Sequence, residues 1–373
     1  MTHIPSFAEL GVEQDSVLEI PLGESAIVTG PPGSGKTIMA IYRAKMLQDF
    51  DYPTRVITYG SLLSHYVKTA VQGLGIAEIV STYHSWFHHF FRSAYGRSAP
   101  TSGGYDYDWQ ACKAVMMSEP LPDGEKLHFV IDEGQDMPRD FYLALRLMSS
   151  SITIFADENQ RITDQQSTIN EIRAASGIRQ TLELTANYRN SREIAELAAH
   201  FAAPRKIHDG SILAQSRPGN PPLLAHTRNR EDAISQILAF RAANPELRIG
   251  VLLPSTHLVK SFYSTISLKV NDTPHVYLNK SSRGRIPIPD LTKSGITLIT
   301  WASAKGLDFD CVFLPELQAA TVDPRSDASR MQMYVLFSRA RQHLILQYSG
   351  DGEPKLVRSL PRHLLIDCDN RPG

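Results

Sequence analysis

Cysteine is scarce in this chain. The 373 residues include three, Cys112, Cys311 and Cys368, widely separated and without a C-x-x-C pair, which argues against a disulfide framework and a thiolate zinc site. Long apolar runs are missing too. No stretch approaches the about twenty apolar residues of a membrane-spanning helix, and no signal-peptide pattern opens the chain. A soluble cytoplasmic protein without membrane association is expected. Charge of one sign is also lacking overall: 38 Lys and Arg face 39 Asp and Glu, for a net charge of −1, so a uniformly basic coat is excluded. The halves differ, however. Residues 1–177 carry 13 basic against 21 acidic side chains and residues 178–373 carry 25 against 18. Attraction for a phosphate backbone is therefore expected mainly from the second half, with Lys280, Arg283, Arg285 and Lys305 as candidates. The alternative is a solvated positive face.

The most informative stretch is Gly30-Pro31-Pro32-Gly33-Ser34-Gly35-Lys36-Thr37. It matches G-x-x-x-x-G-K-[ST] between an apolar run, Ala26-Ile27-Val28, and a helix-like segment, Ile38 to Leu47. Glycines let backbone N–H groups turn toward phosphate oxygens, and the positive end of the following helix favours the same charge. Lys36 is expected to reach the β- and γ-phosphates and Thr37 to hold Mg²⁺, so ATP or a similar nucleotide is the expected ligand.

Two acidic turns follow. Phe129-Val130-Ile131 runs into Asp132-Glu133-Gly134-Gln135-Asp136, and Ile152-Thr153-Ile154-Phe155 into Ala156-Asp157-Glu158-Asn159-Gln160. Adjacent carboxylates after a buried strand divide two tasks, Asp132 holding Mg²⁺ and Glu133 polarising the attacking water. Gln160 is a candidate sensor of the γ-phosphate. His84, His88 and His89 lie among Trp86, Phe87, Phe90 and Phe91, which reads as a packed helix with polar edges rather than a metal site.

Taken together, these segments and others resemble the superfamily-one helicases of the UvrD/Rep/PcrA type, over nearly the whole chain and in the family's order. Gln14 stands where the family has an adenine-reading glutamine. Arg55 to Tyr59 resembles the first single-strand-contacting motif, Ser81 to Trp86 the following T-x-H-S segment, and Asp132 to Asp136 the DEAQD box with Gly134 in place of alanine. Ala156 to Gln160 resembles GD-x-x-Q, and Leu184-Thr185-Ala186-Asn187-Tyr188-Arg189-Asn190-Ser191 resembles L-x-x-N-Y-R-S. Ile299 to Asp310 resembles T-x-H-S-A-K-G-L-E-F, with Trp301 replacing histidine and Asp308 replacing glutamate. Tyr334 to Ala340 resembles Y-V-A-L-T-R-A. Ile38 stands where the family commonly has arginine, and Arg161 to Asp164 replace the aromatic residues after the glutamine motif.

The resemblance implies roles. Arg189 and Arg339 are expected to complete the nucleotide site from a second domain, spreading guanidinium donors over the γ-phosphate when the domains close. Tyr188 is expected to stack on adenine and Asp308 to accept from the ribose. Together with Gly30, Gly33, Ser34, Gly35, Lys36, Thr37 and Gln14 these make the nucleotide set, with Thr37 and Asp132 as Mg²⁺ ligands. Tyr59, Thr82, His84, Trp301 and Lys305 are the candidates for gripping a single strand.

Apolar runs of strand length alternate with amphipathic segments, as in parallel sheets wrapped by helices. The expected fold is α/β, with two RecA-like phosphate-loop domains in tandem, residues 1–177 and 178–373, and the nucleotide in the cleft between them. The spaces where the family carries large insertions are short here. Two functions stay open. One is an ATP-driven translocase or helicase on single-stranded nucleic acid, DNA before RNA, within a repair or antiphage-defence complex. The other is a nucleotide-sensing regulatory subunit that controls a partner effector such as a nuclease. Either reading leaves room for a protein partner that supplies nuclease or duplex-engaging activity.

Overall fold

Strands buried on both faces of a parallel sheet read as continuous apolar runs, and the first sheet is built this way. The computed structural model describes residues 9–103, 106–121, 126–157, 166–202, 217–270, 274–277, 290–321 and 323–368. In chain order the first strands are β1 (Ala26–Thr29), β2 (Thr54–Thr58), β3 (Val80–Thr82), β4 (Thr101–Gly103), β5 (Asp106–Tyr107), β6 (Leu127–Ile131), β7 (Ser149–Ala156) and β8 (Thr181–Glu183). β4 and β5 form a small antiparallel hairpin; the other six line up as β3-β2-β6-β7-β1-β8 with every pair parallel. Ala26, Ile27, Val28, Phe129, Val130 and Ile131 are fully buried.

The helix Tyr83–Tyr95 shows how local sequence feeds this core. Thr82 caps it by accepting from Ser85 N at 3.3 Å, and Gly96, at φ 64°, ends it with its N–H on Arg92 O. Its apolar face buries Trp86, Phe87 and Phe91 against Phe129 and Phe141, while His88 and His89 stay exposed. Burying Phe87 and Phe91 contributes roughly 1.5–3 kcal/mol each. Among the described residues no group of three or more His, Cys, Asp or Glu is arranged to hold a metal ion.

β8 joins the free side of β1, with Ile27 opposite Thr181 and Thr29 opposite Glu183. The chain therefore stays with the first sheet through Thr185, and two compact units divide between Thr185 and Ala186, not after Gly177.

The second unit contains β9 (Leu223–Thr227), β10 (Arg248–Leu253), β11 (His275–Val276), β12 (Gly295–Thr300), β13 (Phe309–Leu314), β14 (Ala340–Ser349) and β15 (Ile366–Asp367). They form one parallel sheet in the order β11-β12-β10-β13-β14-β9-β15. Ile249, Val251, Leu253, Phe262, Ile266 and Leu298 form its core. With β11 set aside, the sheets share one plan. β12-β10-β13-β14-β9-β15 repeats β3-β2-β6-β7-β1-β8, strand for strand in chain order. No helix among the described residues is long and apolar enough to cross a membrane.

Candidate functional site

In a parallel α/β sheet, ligands bind beyond the carboxyl ends of the strands, and the sequence motifs of the first unit converge there. The loop after β1 turns at Gly33 and Gly35, both left-handed at φ 86° and 88°, and Gly35 heads the helix Lys36–Asp49. A side chain at Gly35 would be strained by this backbone, and its Cβ would lie 2.3 Å from Gln14 Nε2. Gln14 braces the loop: Nε2 donates to Ser34 O at 3.1 Å, and Oε1 accepts from Gly11 N at 3.0 Å. Ser34 is buried, its hydroxyl donating to Pro31 O. Lys36 folds over the loop, Nζ donating to Gly30 O at 2.6 Å and Pro31 O at 2.8 Å, with the Asp157 carboxylate 3.6 Å away.

The acidic turn after β6 meets this loop. Thr37 Oγ1 donates to Asp132 Oδ2 at 2.8 Å. Burial and then the neighbouring Glu133 charge push the Asp132 carboxyl up to about 7, against the Thr37 hydrogen bond and the Lys36 charge, which pull it down. Glu133 sits at φ 53°, in the left-handed region that non-glycine residues rarely occupy. Such strain persists where surrounding contacts over-determine it, and Gln135 supplies two. Its Nε2 donates to Glu133 Oε2 at 2.5 Å and its Oε1 accepts from Asp157 N at 2.9 Å, tying the ends of β6 and β7 together. Gly134, alanine in the resembled family, is set by packing, since a Cβ there would lie 2.5 Å from Ile154 Cγ2 and 2.9 Å from the Tyr142 hydroxyl. Gln160 lies outside the described residues, as do Lys280, Arg283 and Arg285.

The second unit gathers another set. Asn187 Oδ1 accepts from Arg189 N and Asn190 N, and Asn190 Nδ2 donates to Ser338 O and Ala340 O. This ties the segment bearing Tyr188 and Arg189 to the segment bearing Arg339. Tyr188 is 44% exposed. Arg189 Nε stands 3.4 Å from Asp308 Oδ2, and Arg248 Nη1 is 3.4 Å from Oδ1 of the same carboxylate. Burial pushes the Asp308 carboxyl up, but nearby positive charge, Arg189 foremost with contributions from Arg248 and Arg341, outweighs it and holds the group below the usual carboxylate range. Asp308, expected to meet a ribose, is thus held between two guanidinium groups. Arg339, expected to reach a phosphate, is 1% exposed and turned inward: Nε donates to Val335 O at 2.8 Å, Nη1 to Leu307 O at 3.2 Å and Nη2 to Ser338 Oγ at 2.9 Å.

The candidates for strand grip divide. Tyr59 is 46% exposed and stacks on Tyr83 at 5.6 Å, and the His84 ring lies 3.8 Å from Tyr83 in turn, which makes an aromatic ledge at the ends of β2 and β3. Thr82 is the cap of the helix that carries His84. Trp301 is a core residue, buried, its Nε1 donating to Leu252 O at 3.1 Å. Lys305 is half-buried at the end of the turn Trp301–Ala304, just before the left-handed Gly306. Sequence reasoning missed Gln135, Asn187, Asn190 and Arg248. The motif context flagged the first three as neighbours; Arg248 gives no local signal because its partners Asp308 and Asp310 arrive on β13 and the turn before it.

The fold and these turns define a mixed α/β protein carrying a glycine-rich turn, Gly30 to Thr37, beside a strained acidic one. No family model matches the chain. A curated protein of Acanthamoeba polyphaga mimivirus, named "Putative ATP-dependent DNA helicase", is 24% identical over 271 residues, 64% of this chain and 38% of that protein. The chain thus spans well under half of that relative. The crystal structure of the C-terminal domain of a possible DNA helicase from Lactobacillus plantarum aligns at a TM-score of 0.35 and 19% identity, over 48% of this chain and 97% of that one.

Proposed function

We propose that the chain is an ATP hydrolase of the UvrD-like helicase type. In this reading two RecA-like units convert nucleotide turnover into movement along single-stranded DNA. The observation that carries the reading is the meeting of the Gly30–Thr37 loop with Asp132 and Glu133 at the carboxyl edge of one parallel sheet. The residues fit a Mg²⁺-nucleotide: a hydroxyl and a carboxylate within 2.8 Å are the oxygen ligands Mg²⁺ accepts, and Asp132, raised in pKa by burial, gains from a divalent countercharge. Bound ATP supplies the phosphoanhydride to be cleaved. Lys36 and the loop N–H groups hold phosphate oxygens, Thr37 and Asp132 hold Mg²⁺, and the Glu133 carboxylate, oriented by Gln135, takes a proton from water. Arg189 offers charge to the γ-phosphate by exchanging its Asp308 partner, and Tyr59 with His84 offers stacking faces to bases. The distant similarity to a helicase-named protein supports the same reading. A repair or antiphage-defence setting, with a partner nuclease, belongs to it as context.

A second reading is favoured by Arg339. With its guanidinium engaged inside its own unit, the chain has one fewer arginine for the γ-phosphate, which suits a nucleotide-sensing regulatory subunit with slow turnover. Steady-state ATP hydrolysis with and without single-stranded DNA or RNA, with Glu133→Gln as the blank, separates the two. Stimulation by one strand type supports the motor and names its track. Turnover that no strand changes contradicts the motor and leaves the sensor.

A further inference from the structure

The second sheet repeats the strained turn of the first. After β6, Glu133 sits at φ 53° and opens the turn Gly134–Asp136; after β13, Glu316 sits at φ 59° and opens the turn Leu317–Ala319. Gln135 donates to Glu133 and accepts from Asp157 N beyond β7. In the second unit Gln318 Nε2 donates to Glu316 Oε2 at 2.9 Å, and its Oε1 accepts from Ser349 N, at the end of β14, at 3.1 Å. β13 and β14 are the topological equivalents of β6 and β7. The Glu-x-Gln device therefore occurs twice, each time at the strand edge where α/β sheets take ligands.

The surroundings differ. Only Arg228 and Asn229 separate β9 from the helix Arg230–Ala243, so no glycine cradle forms, and Arg230 Nε neutralises Glu316 at 2.9 Å. Beside the turn, a cavity of about 970 Å³ opens instead, lined by Gln318, Thr321, Arg325, Lys355, Arg358 and Ser359 among others. Its three cations are exposed, and Arg358 uses Nε on Glu353 O. Among the described residues one carboxylate, Asp323, also lines it, so positive charge dominates there, and no aromatic ring is in the lining. Clustered Arg and Lys donors match the geometry and charge of phosphate oxygens.

We propose that this cavity is a second phosphate-binding site, built to hold a chain of phosphates, as in a nucleic-acid backbone or a polyphosphate tail. It stands whether or not the first sheet hydrolyses ATP. The full chain in a Lys36→Ala background, which removes the first phosphate cradle, is compared with the same chain carrying Arg325→Glu, Lys355→Glu and Arg358→Glu. The probes are a fluorescent oligothymidylate of about twenty nucleotides, read by anisotropy between about 50 and 200 mM salt, and inorganic tripolyphosphate, read by calorimetry. Loss of three cations lowers oligothymidylate affinity about tenfold or more and flattens the log–log salt slope by about 2. An effect on the oligonucleotide identifies a nucleic-acid backbone, and an effect on tripolyphosphate alone a free polyphosphate; both uphold the site. Affinities for both probes within twofold of the unreversed chain, or no binding of either by that chain, overturn it. Thermal melts confirm folding of the reversed chain, and a triple Gln variant at the same positions gives the reading if it melts early.

Discussion

Replacing Asp308 by asparagine removes the carboxylate that two guanidinium groups share. Arg248 is 3% exposed and stands 3.4 Å from it, and Arg189 Nε lies at the same distance with 20% exposure. Removing one partner of a buried ion pair costs about 3–5 kcal/mol, because the remaining charge stays buried without compensation. Arg248 keeps Asp310 at 3.2 Å, and Arg189 can turn to water, so Asp308→Asn belongs at the low end, about 3 kcal/mol. The pH dependence follows from the depressed carboxyl. A folded-state pKa below the unfolded value of about 3.9 adds stability that is present above that value and is lost as pH falls through the folded one. Urea unfolding followed by circular dichroism should therefore show a gap between wild type and variant that is constant from about pH 8 to 5 and narrows below about pH 4. A gap under about 1 kcal/mol at pH 7, the range of an exposed pair, would refute the buried three-membered arrangement.

Other expectations concern the remaining parts of the site. Gly134→Ala drives a Cβ to within 2.5 Å of Ile154, so calorimetry should show a loss of about 1–3 kcal/mol, as for other overpacked cores. Arg339→Ala removes a buried side chain and leaves the Leu307 carbonyl without its guanidinium donor, while the Val335 carbonyl keeps Ser338 Oγ; a stability loss of about 3 kcal/mol is expected, whereas Arg189→Ala should mainly slow ATP turnover. Asp132, raised to about 7 when buried without metal, binds its proton more tightly folded than unfolded. Metal-free stability should thus fall as pH rises from about 4 to 7, and MgCl₂ should raise the melting temperature more at about pH 8 than at pH 5. Equal Mg²⁺ effects at both pH values would remove Asp132 as the metal ligand.

Most strands of both sheets were legible because parallel strands buried on two faces leave unbroken apolar runs, as in Ala26-Ile27-Val28 and Phe129-Val130-Ile131. β9 was not: Leu223-Leu224-Ala225-His226-Thr227 follows Pro221-Pro222 and carries a polar residue, so its pattern resembles a loop. β8 falls beyond the boundary expected at Gly177, because its partner β1 lies far away in sequence and no local pattern records that pairing. The glycine-rich turn and the acidic turn were readable as turns because each is a short contiguous motif whose backbone geometry needs particular residues. Trp301, Asp308 and Arg339 also fall at motif positions, the first two with a residue other than the family's. Their surroundings are set by Leu252, Arg248 and Leu307, and such tertiary partners leave no trace in local spacing.

The proposed function depends most on the loop of the first unit holding a Mg²⁺-nucleotide. Equilibrium binding of a fluorescent ATP analogue, with Mg²⁺ present, to wild type, Lys36→Ala and Glu133→Gln is the most direct measurement. The expected result is saturable binding by wild type and by Glu133→Gln, with affinity reduced at least about tenfold in Lys36→Ala. Equal binding by wild type and Lys36→Ala, or none by wild type, would contradict it.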